Sequence, residues 1–158
     1  MSQIKYDVEI NAPVERVYEY YTNPDNIKEA WPQDIVKESE SLSSSTKNEE
    51  GSEMKVKGKY MGKEEEMRLQ VVGKEQNRRL VTHQVQGPFK KWESIQEFQD
   101  NDSRTTHIRQ TIDYELQTTG KIANMLSGSQ ADNKMREGLQ QAAQAVKQKL
   151  ESHKAGLE

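Results

Sequence analysis

The stretch NAPVERVYEYYTNPDNIKEAWP, residues 11–32, predicts a helix that begins directly after a strand. Pro13 suits the first turn of a helix, where its missing N–H group costs nothing. The apolar residues that follow recur at the spacing of a single helical face. They are Val14, Val17, Tyr18 and Tyr21. This face predicts a short amphipathic helix packed against other elements.

A second short helix is predicted in the same stretch. Asn23 is its expected cap and Pro24 lies in its first turn. Ile27 and Trp31 are four residues apart and therefore share one side of it. Pro32 ends the helix, because the residue before a proline disfavours helical backbone.

The composition bounds the class of protein. Hydrophobic residues make up 32% of the 158 residues and charged residues 31%, but the formal net charge is only −3. Disorder is favoured by a high net charge, which this chain lacks. The length fits one domain. We predict a single domain over residues 1–153 and a C-terminal tail over residues 154–158, in which the final Leu-Glu is typical of a cloning remnant.

Most of the remaining chain alternates between apolar and polar residues, which is typical of half-buried strands. One such strand, residues 4–10, precedes the quoted stretch, and five follow the polar loop after residue 43. The side chains predicted to face inward are Ile4, Tyr6, Val8, Ile10, Met54, Val56, Gly58, Tyr60, Met67, Leu69, Val71, Val81, His83, Val85, Trp92, Ser94, Gln96, Phe98, Thr106, Ile108, Gln110, Ile112, Tyr114 and Leu116.

Residues 34–43 predict a further strand whose facing the pattern leaves open. Glu38 and Glu40 share parity with Val36 and Leu42. An edge strand with solvated glutamates is favoured over one that turns these carboxylates inward.

The period becomes helical over residues 130–152. The apolar stripe consists of Ala131, Met135, Leu139, Ala142, Val146 and Leu150. Such a stripe is also typical of a coiled-coil seam. Seven one-faced strands need a cover, however, which favours a helix laid over a sheet.

The order of elements and several residues together resemble the START/pollen-allergen/polyketide-cyclase (SRPBCC) superfamily of helix-grip proteins. The resemblance lies in Ile10, Ala12, Pro13, Glu15, Val17, Tyr18, Tyr20, Asn23 and Pro24, in the Trp31-Pro32 pair and in the long final helix. It is nearest to the bacterial cyclase/dehydrase-like or coenzyme-Q-binding-like proteins. It implies an α+β helix-grip fold: a seven-stranded curved antiparallel sheet, two short helices after the first strand, and a long C-terminal helix over a cavity.

Polar residues on the inward side of adjacent strands are the first candidates for ligand-binding or catalytic residues. With hairpin centres at Pro88–Phe89 and at Asp102, His83 is predicted opposite Ser94, and Ser94 opposite Gln110. Such groups bond one another, bond cavity water or bond a ligand. His83 is also a candidate catalytic acid or base, although no partner for it is evident.

The methionines are predicted either to fill the core or to provide the adaptable lining of a lipid-type cavity. The full set of predicted ligand-binding residues is Trp31, Met54, Tyr60, Met67, His83, Trp92, Ser94, Gln96, Gln110, Ile112, Tyr114, Met135 and Leu139.

Three functions are compatible with these patterns. The first is a binding module for a small hydrophobic or aromatic ligand of lipid, isoprenoid or polyketide type. The second is a polyketide cyclase or dehydratase that uses His83 as its acid/base. The third is a protein-interaction module.

Several other classes are not expected. The chain has no cysteine, and its three histidines lack the spacing of metal ligands, so neither a metal nor another cofactor is predicted. No apolar run approaches the length of a membrane span, and the charge balance gives no basic face for nucleic acid. Without a secretory signal at the N-terminus, we expect a cytoplasmic protein.

Overall fold

The computed structural model describes residues 2–33, 35–42, 50–60, 63–116 and 128–157, with side chains except at residues 60, 63, 128–131 and 153–157. The helices are α1 (Val14–Tyr21), α2 (Asp25–Ala30) and α3 (Gly128–Leu157). The strands are β1 (Ser2–Ile10), β2 (Val36–Ser41), β3 (Glu53–Tyr60), β4 (Lys63–Glu75), β5 (Arg79–Gln86), β6 (Phe89–Asn101) and β7 (Thr105–Leu116). The predicted order of elements is confirmed.

The seven strands form one antiparallel sheet in the order β1-β7-β6-β5-β4-β3-β2. Consecutive strands from β2 to β7 pair as hairpins, and β1 joins the far side of β7. The sheet curls around α3, so the predicted helix-grip fold is confirmed. Pro13 has extended backbone and lies just before the first turn of α1, one residue earlier than predicted. Pro24 has helical backbone, and the Asp25 N–H donates to Asn23 Oδ1 at 3.1 Å, so the predicted cap of α2 is confirmed.

The buried residues divide into two clusters on the inner face of the sheet. In one cluster, residues of α1 and of the C-terminal half of α3 pack against β1, β6 and β7. Its members include Val17, Tyr18, Phe98, Ile108 and Val146. Its Tyr18 and Phe98 rings meet edge to face, with 5.1 Å between their centroids. In the other cluster, residues of β3, β4 and β7 pack against α3. Its members include Ile4, Met54, Met67, Ile112 and Leu139. α3 runs across both clusters.

A bulge decides which side chains of the strand predicted over residues 34–43 are buried. The pairing of β2 with β3 shifts between Val36 and Glu38. Val36 and Ser39 are therefore buried, whereas Glu38 and Glu40 are exposed. The Ser39 hydroxyl donates to the Pro24 carbonyl oxygen at 2.6 Å and fastens this edge strand to α2. The preferred interpretation, an edge strand with solvated glutamates, is confirmed.

The predicted alignment of β5 with β6 is wrong by one residue. Thr82, not His83, lies opposite Ser94, and His83 lies opposite Glu93. Because side chains alternate between faces, this slip moves His83 to the outer face, where its Nε2 lies 3.4 Å from Gln70 Oε1. Val85 is likewise outward and 49% exposed. The inward residues of β5 are Leu80, Thr82 and Gln84.

The predicted alignment of β6 with β7 is wrong by two residues. Ser94 lies opposite Ile112, and Gln96 lies opposite Gln110. A shift of two residues keeps every side chain on its predicted face. Ser94 and Gln110 therefore remain inward, but as diagonal neighbours rather than as a directly opposed pair.

Candidate functional site

A cavity lies between the inner face of the sheet and α3, where the two buried clusters meet. Its volume is about 140 Å³. The first cluster contributes Val146 and Leu80 to its wall, and the second contributes Met54 and Met67. α1 and α2 close one side with Tyr21 and other residues of the stretch 20–31.

Most of the wall is apolar, and much of it is aromatic or sulfur-containing. The large side chains are Trp31, Met54, Met67, Phe89, Trp92 and Met135. Thioethers adapt to irregular apolar shapes, and aromatic rings bury a large area with few rotatable bonds. Such a wall suits a flat or flexible apolar molecule.

Four neutral polar residues interrupt this wall on three adjacent strands. They are Thr82 in β5, Ser94 and Gln96 in β6, and Gln110 in β7. Gln110 Nε2 donates a hydrogen bond to Ser94 Oγ at 3.2 Å. Apolar side chains flank this group, with Ile108 and Phe98 paired on one side and Tyr114 and Trp92 on the other. The polar groups thus form a compact patch on the cavity floor.

The rim of the cavity carries different groups. Lys134 in α3 and Lys59 in β3 line it and are exposed. Asn26 also lines it and donates from Nδ2 to the Tyr20 carbonyl oxygen at 2.8 Å. Burial and the neighbouring Tyr20 raise the pKa of Tyr21 well above its usual value near 10.0. Tyr21 therefore presents a neutral phenol at physiological pH.

No acid–base pair is assembled in the described part of the wall. The titratable side chains that line it are those of Tyr20, Tyr21, Lys59 and Lys134, and none is a carboxylate or an imidazole. Within the described residues, no three of His, Cys, Asp or Glu are grouped as metal ligands. The described part of the wall can contact and orient an apolar molecule through its polar groups.

Eight of the thirteen predicted ligand-binding residues line the cavity, namely Trp31, Met54, Met67, Trp92, Ser94, Gln96, Gln110 and Met135. Ile112 and Leu139 are fully buried in the core beside it. Tyr114 is also buried, and its hydroxyl donates to the Asp132 carboxylate in α3. His83 lies on the opposite face of the sheet, and the side chain of Tyr60 falls outside the described residues.

Thr82 and Leu80 line the cavity in place of His83, although the sequence pattern did not predict them there. The alternation of Val81, His83 and Val85 is more apolar than that of Leu80, Thr82 and Gln84, and this made the outer face resemble the inner one. Val81 is indeed buried, but on the outer face beside Gly73 and Ile95. The register with β4 and with β6 distinguishes the two faces.

None of the helices, as far as they are described, is both long and apolar enough to cross a membrane. α3, which has 30 residues, carries charged side chains along its outer face.

Solved structures with the same fold come from several bacteria. A protein from Thermus thermophilus is 18% identical, with a TM-score of 0.79, over 96% of this chain and 99% of that one. A START superfamily protein from Mycobacterium smegmatis is 16% identical, with a TM-score of 0.76, over 95% and 97%. The Zhui aromatase/cyclase from a Streptomyces species is 15% identical, with a TM-score of 0.71, over 95% and 93%. At these identities the likeness is one of fold.

The sequence was also compared with curated proteins and with models of protein families. None of the curated proteins compared with the chain matches it. The model of the family described as polyketide cyclase/dehydrase and lipid transport matches residues 1–151, which includes the quoted stretch, every strand and most of α3. The chain therefore belongs to the polyketide cyclase/dehydrase and lipid transport family.

Proposed function

We propose that the protein binds a small hydrophobic or aromatic ligand, of lipid, isoprenoid or polyketide type, in the cavity under α3. The observation that carries this proposal is the wall itself, in which Trp31, Trp92 and three methionines surround unfilled space. Well-formed apolar cavities with a few convergent polar groups are the usual sites for small molecules. The lipid transport in the family description agrees with such a role.

The size of the cavity limits the ligand. Sites for drug-sized molecules typically measure roughly 300–1,000 Å³, whereas this one measures about 140 Å³. A compact ring system, or one end of a longer molecule that leaves through the rim, fits this volume better than a fully enclosed lipid.

The alternative function, a cyclase or dehydratase, was predicted to use His83 as its acid/base, but this residue does not line the cavity. His83 is on the outer face and contacts Gln70, away from the cavity wall. We expect His83→Ala to leave both ligand affinity and any turnover unchanged. A loss of turnover in this variant would restore the enzymatic hypothesis.

The binding proposal is tested by loading the purified protein with a lipid extract and recording native mass spectra. We expect the wild type to retain an apolar ligand. Ala142→Leu places extra bulk on the cavity wall and should reduce the retained fraction at least tenfold. Ala145→Leu, on the same helix but away from the wall, is the matched control and should retain the ligand.

Circular dichroism would show whether both variants remain folded, since overpacking costs roughly 1–3 kcal/mol. A wild type that retains nothing, or two variants that bind equally well, would refute the proposal.

A further inference from the structure

We infer that Thr82, Ser94, Gln96 and Gln110 form a subsite that receives an uncharged hydroxyl or carbonyl group of the ligand. We call these four residues the floor subsite. The inference rests on the proposed function, and it adds which end of the ligand enters first and what chemistry that end has.

The four side chains converge because of the strand register. Thr82 lies directly opposite Ser94 across β5 and β6. Gln96 lies directly opposite Gln110 across β6 and β7. The Gln110–Ser94 hydrogen bond, at 3.2 Å, joins the two pairs diagonally. A single small polar group placed above this diagonal would be within reach of several of them.

The floor subsite has hydrogen-bonding capacity that the described protein groups do not use. Ser94 Oγ accepts from Gln110, which leaves its O–H group able to donate. Gln110 Oε1 accepts no hydrogen bond from another described residue, and neither Thr82 nor Gln96 forms a side-chain hydrogen bond with one. Thr82 and Ser94 are both buried. All four residues line the cavity, so a ligand group that enters it can pair with this unused capacity.

The charge of the surroundings selects a neutral group. Both donors and acceptors are present in the floor subsite, and none is ionised, since its members are two hydroxyls and two amides. The cationic residues that line the cavity, Lys59 and Lys134, are exposed at its rim. A carboxylate or an ammonium group at the floor would be desolvated without a counter-charge. A hydroxyl or carbonyl would instead complete the existing network.

Three matched probes test the inference: 2-naphthol, 2-methylnaphthalene and 2-naphthoate. They share one ring system and differ in the polar end. We expect 2-naphthol to bind about three- to tenfold tighter than 2-methylnaphthalene, as is typical of one net hydrogen bond. 2-Naphthoate should be the weakest of the three. Dissociation constants can be measured by calorimetry at neutral pH.

Variants then locate the preference. Thr82→Val keeps the shape of the side chain and removes its hydroxyl, and Ser94→Ala removes the central group. Each should abolish most of the preference for 2-naphthol while leaving 2-methylnaphthalene affinity within about twofold, because apolar contacts are retained. His83→Ala, which alters the neighbouring residue on the outer face, is the control and should keep the full preference.

The possible results separate the two proposals. Equal affinities for 2-naphthol and 2-methylnaphthalene in the wild type would overturn the floor subsite and leave cavity binding intact. Tightest binding of 2-naphthoate, lost in Lys134→Ala but kept in Ser94→Ala, would place the polar end at the rim and also overturn it. Failure of all three probes to bind would refute the proposed function together with the inference.

Discussion

The hydroxyl of Tyr114, on the inner face of the sheet, donates a hydrogen bond to the carboxylate of Asp132 in the first turns of α3. Tyr114 is almost fully buried, so this bond ties the long helix to β7 from inside the molecule. A second such tie lies at the surface, where Gln144 Nε2 donates to the Tyr6 hydroxyl at 3.0 Å. Both bonds join α3 to the sheet, but they differ in burial.

The hydrogen bond of Tyr114 to Asp132 should contribute more to stability than the exposed bond of Gln144 to Tyr6. We expect Tyr114→Phe to lower the free energy of unfolding by about 1–2 kcal/mol, because it removes a charge-assisted hydrogen bond from a partly buried position. Tyr6→Phe removes the exposed bond and should cost less than about 0.5 kcal/mol. Urea unfolding of both variants measures the difference. Equal losses would show that burial does not strengthen the Tyr114 bond.

Alkaline pH should destabilise the fold through two tyrosines. Burial, together with the hydrogen bond to Asp132, raises the pKa of Tyr114, and burial together with Tyr20 raises that of Tyr21. The folded state therefore keeps protons that the unfolded chain releases above pH about 10. The stabilisation is complete below that pH and falls above it, by at most about 1.4 kcal/mol per pH unit for each tyrosine.

The Tyr21→Phe/Tyr114→Phe double variant tests this pH dependence. Its free energy of unfolding should decline less steeply above pH about 10 than that of the wild type, because the unfolded variant has no phenol to deprotonate at either position. Urea unfolding curves recorded at several pH values give the slope. A double variant with the wild-type slope would contradict the assignment.

Gly58 should be far less replaceable than Gly73, although both lie in strands. A Cβ atom on Gly58 would overlap the Ile35 carbonyl oxygen. That same oxygen accepts the hydrogen bond of the Lys59 N–H at 3.0 Å. We expect Gly58→Ala to cost about 3 kcal/mol, since a backbone segment must move.

Gly73→Ala is the matched control for that substitution. Its Cβ atom would lie 3.4 Å from the Val81 side chain, a contact that a small adjustment relieves. The loss of glycine from a strand also favours the folded state by about 0.5–1 kcal/mol. The variant should therefore stay within about 1 kcal/mol of the wild type in thermal and urea unfolding. Similar losses in both variants would refute the role given to the Ile35 carbonyl.

Gly138 allows α3 to approach Trp31 at the edge of the cavity. A Cβ atom there would lie 2.7 Å from Ile35 Cδ1 and 2.9 Å from Trp31 Cζ3. We expect Gly138→Ala to displace the Trp31 ring, to shift its fluorescence, and to weaken 2-methylnaphthalene binding at least threefold. Stability should change by less than about 1 kcal/mol, because the gain in helix propensity offsets the crowding.

The fluorescence is recorded in a Trp92→Phe background, so that only Trp31 reports. Gln140→Ala, on the exposed side of the same helix, serves as the control and should alter neither emission nor affinity. An unchanged Trp31 signal in Gly138→Ala would mean that the ring is not held by this contact.

Much of the architecture could be predicted from local pattern. The strict alternation of β1, the helical spacing of Val14, Val17 and Tyr18, and the stripe of α3 are each set by residues close together in the chain. Local periods of two and 3.6 residues identify an element and its apolar face without reference to any other element. The aromatic and methionine lining followed from these faces, since Trp31, Met54 and Met67 sit on them and all reach the cavity.

The polar floor of the cavity was decided by tertiary structure. The pairing of β4 with β5 shifts at two places, and the alignment of β5 with β6 differs by one residue from a simple hairpin count. That single residue replaces His83 with Thr82 inside the cavity and removes the candidate acid/base from it. Alternation by itself specifies two faces but not which one lies inward, because a slip of one residue exchanges them. The sequence alone thus determined the family, the order of elements and an apolar hollow, whereas the register of paired strands determined which polar groups a ligand can meet there.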